Sequence, residues 1–126
     1  MQDKKNILII EDEKEIADLL VEFFEKNNFS AVSMPDGIKG LKYVKEHLPD
    51  MVITDLLLPG EHGIDVLKAV KDQFFLPVII ISGIYKEEEL AQLIDDYFVD
   101  GFFEKPLDLN ALLEKVNTVL SSKPSA

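Results

Sequence analysis

The chain is 126 residues long and 47% hydrophobic, enough for one domain with a real core and too apolar for intrinsic disorder. Its 24 acidic residues outweigh 13 basic ones, all lysine, for a formal net charge of −11; this argues against binding nucleic acid or an anionic membrane, which reward clustered positive charge. Without arginine there is no bidentate fork for phosphate or guanine, and without cysteine there are no disulfides, thiolate metal sites or cysteine nucleophiles.

The lead Met1-Gln2-Asp3-Lys4-Lys5 opens onto only a short apolar run, so no signal peptide is expected. No run approaches the ~18–20 residues needed to span a bilayer. A soluble, cytoplasmic domain is the expectation. Ile7-Leu8-Ile9-Ile10 is β-branched with no polar alternation, as befits a strand buried on both faces, and Glu11-Asp12-Glu13 follows it. Ile16, Leu19, Leu20, Phe23 and Phe24 then recur at helical spacing, predicting a helix over about 13–27. Glu13 and Glu15 read as acids favouring its N-terminus.

Ala31–Met34 predicts a short second strand, and Ile38, Leu41 and Val44 a second helix with His47 near its end, where it complements the dipole. Met51–Thr54 reads as a third buried strand, followed directly by Asp55 and by the turn signal Leu58-Pro59-Gly60. Ile64, Leu67 and Val70 mark a third helix. Val78–Ile81 is a fourth strand, closed by Ser82. Leu90, Leu93, Ile94 and Tyr97 predict a fourth helix, Gly101–Phe103 a fifth strand with Lys105-Pro106 beyond it. Leu109, Leu112, Leu113, Val116 and Leu120 predict the last helix.

Strands alternating with helices favour a parallel sheet covered on both faces, because right-handed crossovers place the helices there. Five units are too few for a closed eight-stranded barrel, so the expected fold is α/β, a doubly wound (βα)5 flavodoxin-like sheet of five parallel strands. Residues 1–126 read as one domain with its core over about 5–121; residues 122–126 read as a flexible tail or as the edge of a longer chain. Such sheets bind ligands beyond the carboxyl ends of their strands.

Four of the five predicted strands end in a residue suited to phosphoryl or metal chemistry: Glu11 and Asp12, Asp55, Ser82 and Lys105. Clustered carboxylates repel and raise one another's pKa unless a hard cation neutralises them. Magnesium prefers such oxygen ligands and keeps waters that a phosphate oxygen can replace. A lysine and a serine hydroxyl nearby suit the remaining phosphate oxygens, and aspartate can act as a covalent nucleophile. Each residue alone has a plainer explanation as a cap, turn or solvated group. Their joint placement at one edge does not.

With these residues the chain resembles bacterial response-regulator receiver domains of the chemotaxis-regulator-like kind, carrying Glu11-Asp12-Glu13, Asp55 with Pro59-Gly60, Ser82-Gly83 and Lys105-Pro106 over about residues 5–121. The resemblance implies that Asp55 accepts a phosphoryl group from a sensor histidine kinase or phosphotransfer protein. It further implies that Asp12 and Asp55 ligate Mg²⁺ (or Mn²⁺), Glu11 holding it mainly through water and the Leu57 carbonyl adding a ligand. Lys105 and Ser82 would meet the phosphoryl oxygens, Phe102 would stand at the family's switch aromatic, and the Lys105–Pro106 bond would be cis. The output would pass through the face of the fourth helix, fifth strand and fifth helix to an unknown protein or a fused output domain. A monomer or a weak phosphorylation-dependent dimer is expected, with no direct nucleic acid binding by this domain.

Phe102 lacks the hydroxyl of the tyrosine common there, so any switching would depend on packing, and permanent burial is the equal alternative. Leu57 and Ile84, two residues beyond Asp55 and Ser82, cannot orient an attacking water, which predicts a long-lived acyl phosphate. Leu57→Asn should speed loss of radiolabelled phosphate; an unchanged or slower loss defeats the idea. His62, in the loop after Pro59-Gly60, reads as exposed rather than catalytic. The competing function is a degenerate receiver that binds proteins independently of phosphorylation, separable by Mg²⁺ titration. A flavodoxin would need a glycine- and hydroxyl-rich phosphate loop after the first strand, and a haloacid-dehalogenase-type phosphatase two aspartates two residues apart; the sequence offers neither.

The charge is localised. Residues 11–25 carry seven acids against Lys14, and residues 82–104 seven against Lys86, so each segment is −6 and the rest sums to +1. A partner meeting the second segment is expected to present basic residues and to bind more weakly in salt.

Overall fold

The computed structural model describes residues 4–56, 63–83, 95–96 and 99–121. The β-branched runs form the strands β1 (Asn6–Ile10), β2 (Ser30–Met34), β3 (Met51–Asp55), β4 (Val78–Ser82) and β5 (Gly101–Glu104). The helices are α1 (Lys14–Lys26), α2 (Gly37–His47), α3 (Gly63–Ala69) and a C-terminal helix (Leu109–Ser121). All five strands pair in parallel in the order β2-β1-β3-β4-β5. From β1 the chain runs outward to β2 and then returns to β3 on the other side. The order therefore reverses between β1 and β3, which opens a crevice at their carboxyl ends. This is the doubly wound (βα)5 architecture expected from the sequence.

Alternate residues of each strand feed two apolar layers. Ile7, Ile9, Ile53, Ile79 and Ile81 pack with Leu20 and Phe24 of α1 and with Leu112 and Val116 of the C-terminal helix. Leu8, Ile10, Val52 and Ile80 pack with Val44 of α2 and with Val66, Leu67 and Val70. The central strands are thus buried on both sides, which is why they carry no polar alternation.

Three expectations about helix faces need correction. On α2 the buried face is Gly37, Gly40 and Val44, while Ile38 is 64% exposed. Gly40 is the reason: it lies directly over Ile10, and a Cβ there would collide with that side chain, so the helix sits down on its glycines. On α3 the buried residues include Val66 and Leu67, and Ile64 is exposed. On α1 Leu19 is half exposed. The predicted fourth helix, with Leu90, Leu93, Ile94 and Tyr97, lies outside the described residues except for helical residues 95–96.

Beyond α3 the chain widens into a π-helical segment, Val70–Phe74, which the sequence did not predict. It ends at Phe75, which has φ 56° and is 82% exposed. A bulky side chain in the left-handed region costs about 1–2 kcal/mol, and this one buries little area in return. Phe75→Gly should therefore stabilise the protein by about 0.5–1 kcal/mol after the extra unfolded-state entropy of glycine is counted. A thermal melt that moves down would show that the ring is held by packing.

The base of the sheet is tied by polar contacts. Asp100 Oδ2 accepts from Lys71 Nζ at 2.6 Å and from the Val78 N–H at 2.8 Å, and the Asp100 N–H donates to the Val78 carbonyl at 2.9 Å. Asp50 takes the Asn6 N–H at 2.7 Å, and His47, the last residue of α2, stacks on Tyr43 with ring centres 4.4 Å apart. No helix among the described residues is long and apolar enough to cross a membrane.

Candidate functional site

β1 and β3 pair with Ile10 opposite Thr54, so the next residues, Glu11 and Asp55, stand side by side at the top of the crevice. The Glu11 N–H still donates to the Met34 carbonyl at 3.0 Å, which holds its backbone in line with the strand. Asp55 is the last residue of the central strand and is 5% exposed; Glu11 is 1% exposed. Asp12, next in the chain, is exposed. Carboxylate oxygens of Glu11, Asp12 and Asp55 all lie within 4.8 Å of one another.

Two of these acids would be costly to bury without a counter-charge. Lys105 supplies it from the far side of β5. Its N–H donates to the Ser82 carbonyl at 2.9 Å, which ties the residue after β5 to the end of β4. From there its side chain reaches back to donate to Asp55 Oδ2 at 2.7 Å. The same ammonium stands 2.7 Å from Glu11 Oε1 and 3.5 Å from Glu13 Oε1. Glu11 Oε1 is buried, and the Lys105 ammonium is the counter-charge beside it. The other Glu11 oxygen accepts the Glu13 N–H at 3.1 Å.

Burial pushes the Glu11 carboxyl above its ordinary range, although Lys105 and the Glu13 N–H pull it down; the charge of Asp55 adds to the rise. Burial alone would lower the Lys105 ammonium, but its contacts with Asp55 and Glu11 outweigh that and hold it well above the ordinary lysine value. Lys105 is therefore a fixed positive charge, and the cluster has more negative charge than one ammonium can balance. Hard cations take such oxygen sets, so the three acids fit a divalent metal.

The pattern of acids, buried aspartate and lysine across three strand ends has a counterpart among known proteins. Residues 7–117 match the response regulator receiver domain family. The chain belongs to that family.

Receiver domains of this family are signalling switches of two-component systems. The chain is 33% identical to response regulator ArlR of Staphylococcus aureus (strain Mu50 / ATCC 700699) over 119 residues, 94% of this chain and 53% of that protein. This receiver thus spans about half the length of the relatives it matches. The receiver domain of the Francisella response regulator 1452 superposes with a TM-score of 0.86 at 26% identity, covering 94% of this chain and 98% of that one. A response regulator receiver protein from Pseudomonas putida gives 0.86 at 26% identity, covering 94% and 99%. Chemotaxis response regulator CheY4 of Vibrio cholerae shares the fold, with a TM-score of 0.83 at 21% identity over 93% and 99% of the two chains.

The receiver brings together Glu11, Asp12, Asp55 and Lys105 as the sequence anticipated. Ser82 is the last residue of β4 and is fully buried at the same edge. Phe102 is half-buried, opposite Ile80 in register and packed against the α2–α3 layer. The Lys105–Pro106 bond is cis. Leu57, Ile84 and His62 lie outside the described residues. Glu13 stands at the helix N-terminus as expected. It is the N-cap residue of α1, yet its side chain makes no capping hydrogen bond and turns toward Lys105 instead. No spacing rule distinguishes these uses, because a cap and a site acid share the position after a strand.

Proposed function

We propose that this receiver takes a phosphoryl group onto Asp55 from the phosphohistidine of a sensor histidine kinase or a phosphotransfer protein, in a reaction that requires Mg²⁺. The observation that supports it most is the pairing of a buried strand-end carboxylate, Asp55, with an ammonium 2.7 Å from one of its oxygens and two further acids beside it. A simple structural ion pair would not need the extra acids.

In this reading an Asp55 carboxylate oxygen attacks phosphorus in line. The P–N bond to the imidazole breaks with its electron pair left on nitrogen, and the leaving imidazole is protonated from solvent. An acyl phosphate on Asp55 results. Asp12, Asp55 and, through water, Glu11 would hold Mg²⁺, with the Leu57 carbonyl as a further ligand, and the cation would supply charge neutralisation for the carboxylates and the phosphoryl group; Mn²⁺ could take its place. Lys105 exchanges its carboxylate contacts for a phosphoryl oxygen, and the Ser82 hydroxyl donates to another. Loss of Lys105 and Ser82 from their resting contacts biases the face built from the fourth predicted helix, β5 and the C-terminal helix toward a second packing. That face then meets an output protein or a fused output domain. The domain is a switch that assists its own phosphoryl transfer and hydrolysis.

The test is incubation with acetyl phosphate and Mg²⁺, followed by intact-protein mass measurement. A gain of one phosphoryl group, lost in EDTA and in Asp55→Asn, is expected. Retention of the gain in Asp55→Asn overturns the assignment.

A further inference from the structure

β2 is an edge of the sheet, and no described strand pairs with its outer side. The Ser30 N–H donates to the Lys5 carbonyl, and the Met34 carbonyl accepts from Glu11. In a parallel ladder alternate residues face the same neighbour, so Ser30, Val32 and Met34 face β1. Ala31 and Ser33 therefore turn their N–H and C=O groups outward.

Between this edge and α1 runs a groove of about 630 Å³. Val21 and Ala31 give it an apolar floor, and Asp18, Glu22 and Glu25 an acidic rim along α1. Lys26 is the one cation among the lining residues and is held by Glu22 at 2.9 Å; Asp18 is held by Lys14 at 2.7 Å. Exposed pairs of this kind exchange readily for a competing cation. The groove combines open backbone donors and acceptors, an apolar seat and surplus negative charge. A second copy of this chain would bring the same acids to the same place and be repelled.

We propose that the β2 edge takes a strand from a basic partner protein, an extended segment whose groove-facing residues are an aliphatic one flanked at two residues on either side by lysine or arginine. Its backbone pairs with Ala31 and Ser33, the aliphatic side chain enters over Val21 and Ala31, and the cations meet Asp18 and Glu25. Addition of a strand to an open edge gives affinity through the main chain and selectivity through alternate side chains. This docking does not depend on the state of Asp55.

The probe is the blocked peptide acetyl-Lys-Thr-Val-Thr-Lys-Thr-amide, titrated into the ¹⁵N-labelled chain and read by amide shifts and hydrogen exchange. Slowing of exchange at Ala31 and Ser33 by about tenfold or more is expected at saturation. Binding should weaken as ionic strength rises from about 0.01 M to about 0.15 M. Ser33→Pro removes an outward N–H while sparing the ladder to β1, and should abolish the protection. The same response to a peptide of equal charge with proline at its centre, or shifts confined to α1, would overturn the proposal as mere charge attraction. Protection of Ala31 and Ser33 without peptide, rising with protein concentration, would overturn it in favour of pairing between copies. No response at millimolar peptide would also overturn it.

Discussion

Lys105→Met should lower the stability of the metal-free protein by about 3 kcal/mol at neutral pH, the cost of leaving buried charges without their partner. The basis is the placing of one ammonium 2.7 Å from both Glu11 and Asp55, whose side chains are both buried. Urea unfolding in EDTA would show the midpoint falling by about 1.5 M for a slope near 2 kcal/mol/M. The loss should shrink as pH falls. Without Lys105 the Glu11 carboxyl, already raised by burial, rises further, so the native state binds a proton that the unfolded chain has released. Stability then declines as pH rises through the interval between the ordinary carboxylate value and the raised one. Below that interval both states are protonated and the penalty is gone. Mg²⁺ at ten times its dissociation constant should return about 1.4 kcal/mol. An unchanged midpoint in EDTA would mean that water already screens the pair.

Gly40→Val should cost about 3 kcal/mol, again by urea unfolding, through crowding in a core that is already full. A Cβ at this position collides with Ile10 Cδ1 and stands 2.8 Å from its Cγ1, and Ile10 is fully buried in the central layer. The usual gain in helix propensity on replacing glycine is therefore overwhelmed. Ile10→Val removes the nearer of the two contacting carbons, so in that background the cost of Gly40→Val should fall by about 1 kcal/mol. Strict additivity would place the damage elsewhere, in the helix itself. Because Ile10 immediately precedes Glu11, crowding here should also slow phosphoryl uptake at Asp55.

The strands were legible because burial on both faces leaves its mark in composition: runs such as Ile7–Ile10 and Val78–Ile81 have no polar member. The strand-end residues followed, since parallel order alone decides which ends gather. Helix faces were less legible. The α2 stripe pointed to Ile38, but a close approach between Gly40 and Ile10 rotates the helix onto its glycines, and periodicity counts only large apolar side chains. The π-helical turn at Val70–Phe74 has no sequence signal at all; it lies where Lys71 must reach Asp100, a contact 29 residues away. The role of Glu13 was hidden for a related reason. Whether an acid after a strand caps a helix or meets a distant lysine depends on where that lysine arrives.

The clamp at Asp100 has a mechanical consequence. With one carboxylate oxygen held by Lys71 and Val78, and its own N–H held by the Val78 carbonyl, the foot of β5 is bolted to the neighbouring strand and to the helical layer. The head is fastened too, through the Lys105 N–H on Ser82. A beam fixed at both ends cannot slide along its length. If Asp55 takes a phosphoryl group as proposed, a response reaching β5 would have to come from side-chain or sideways movement rather than from sliding of the strand along its length.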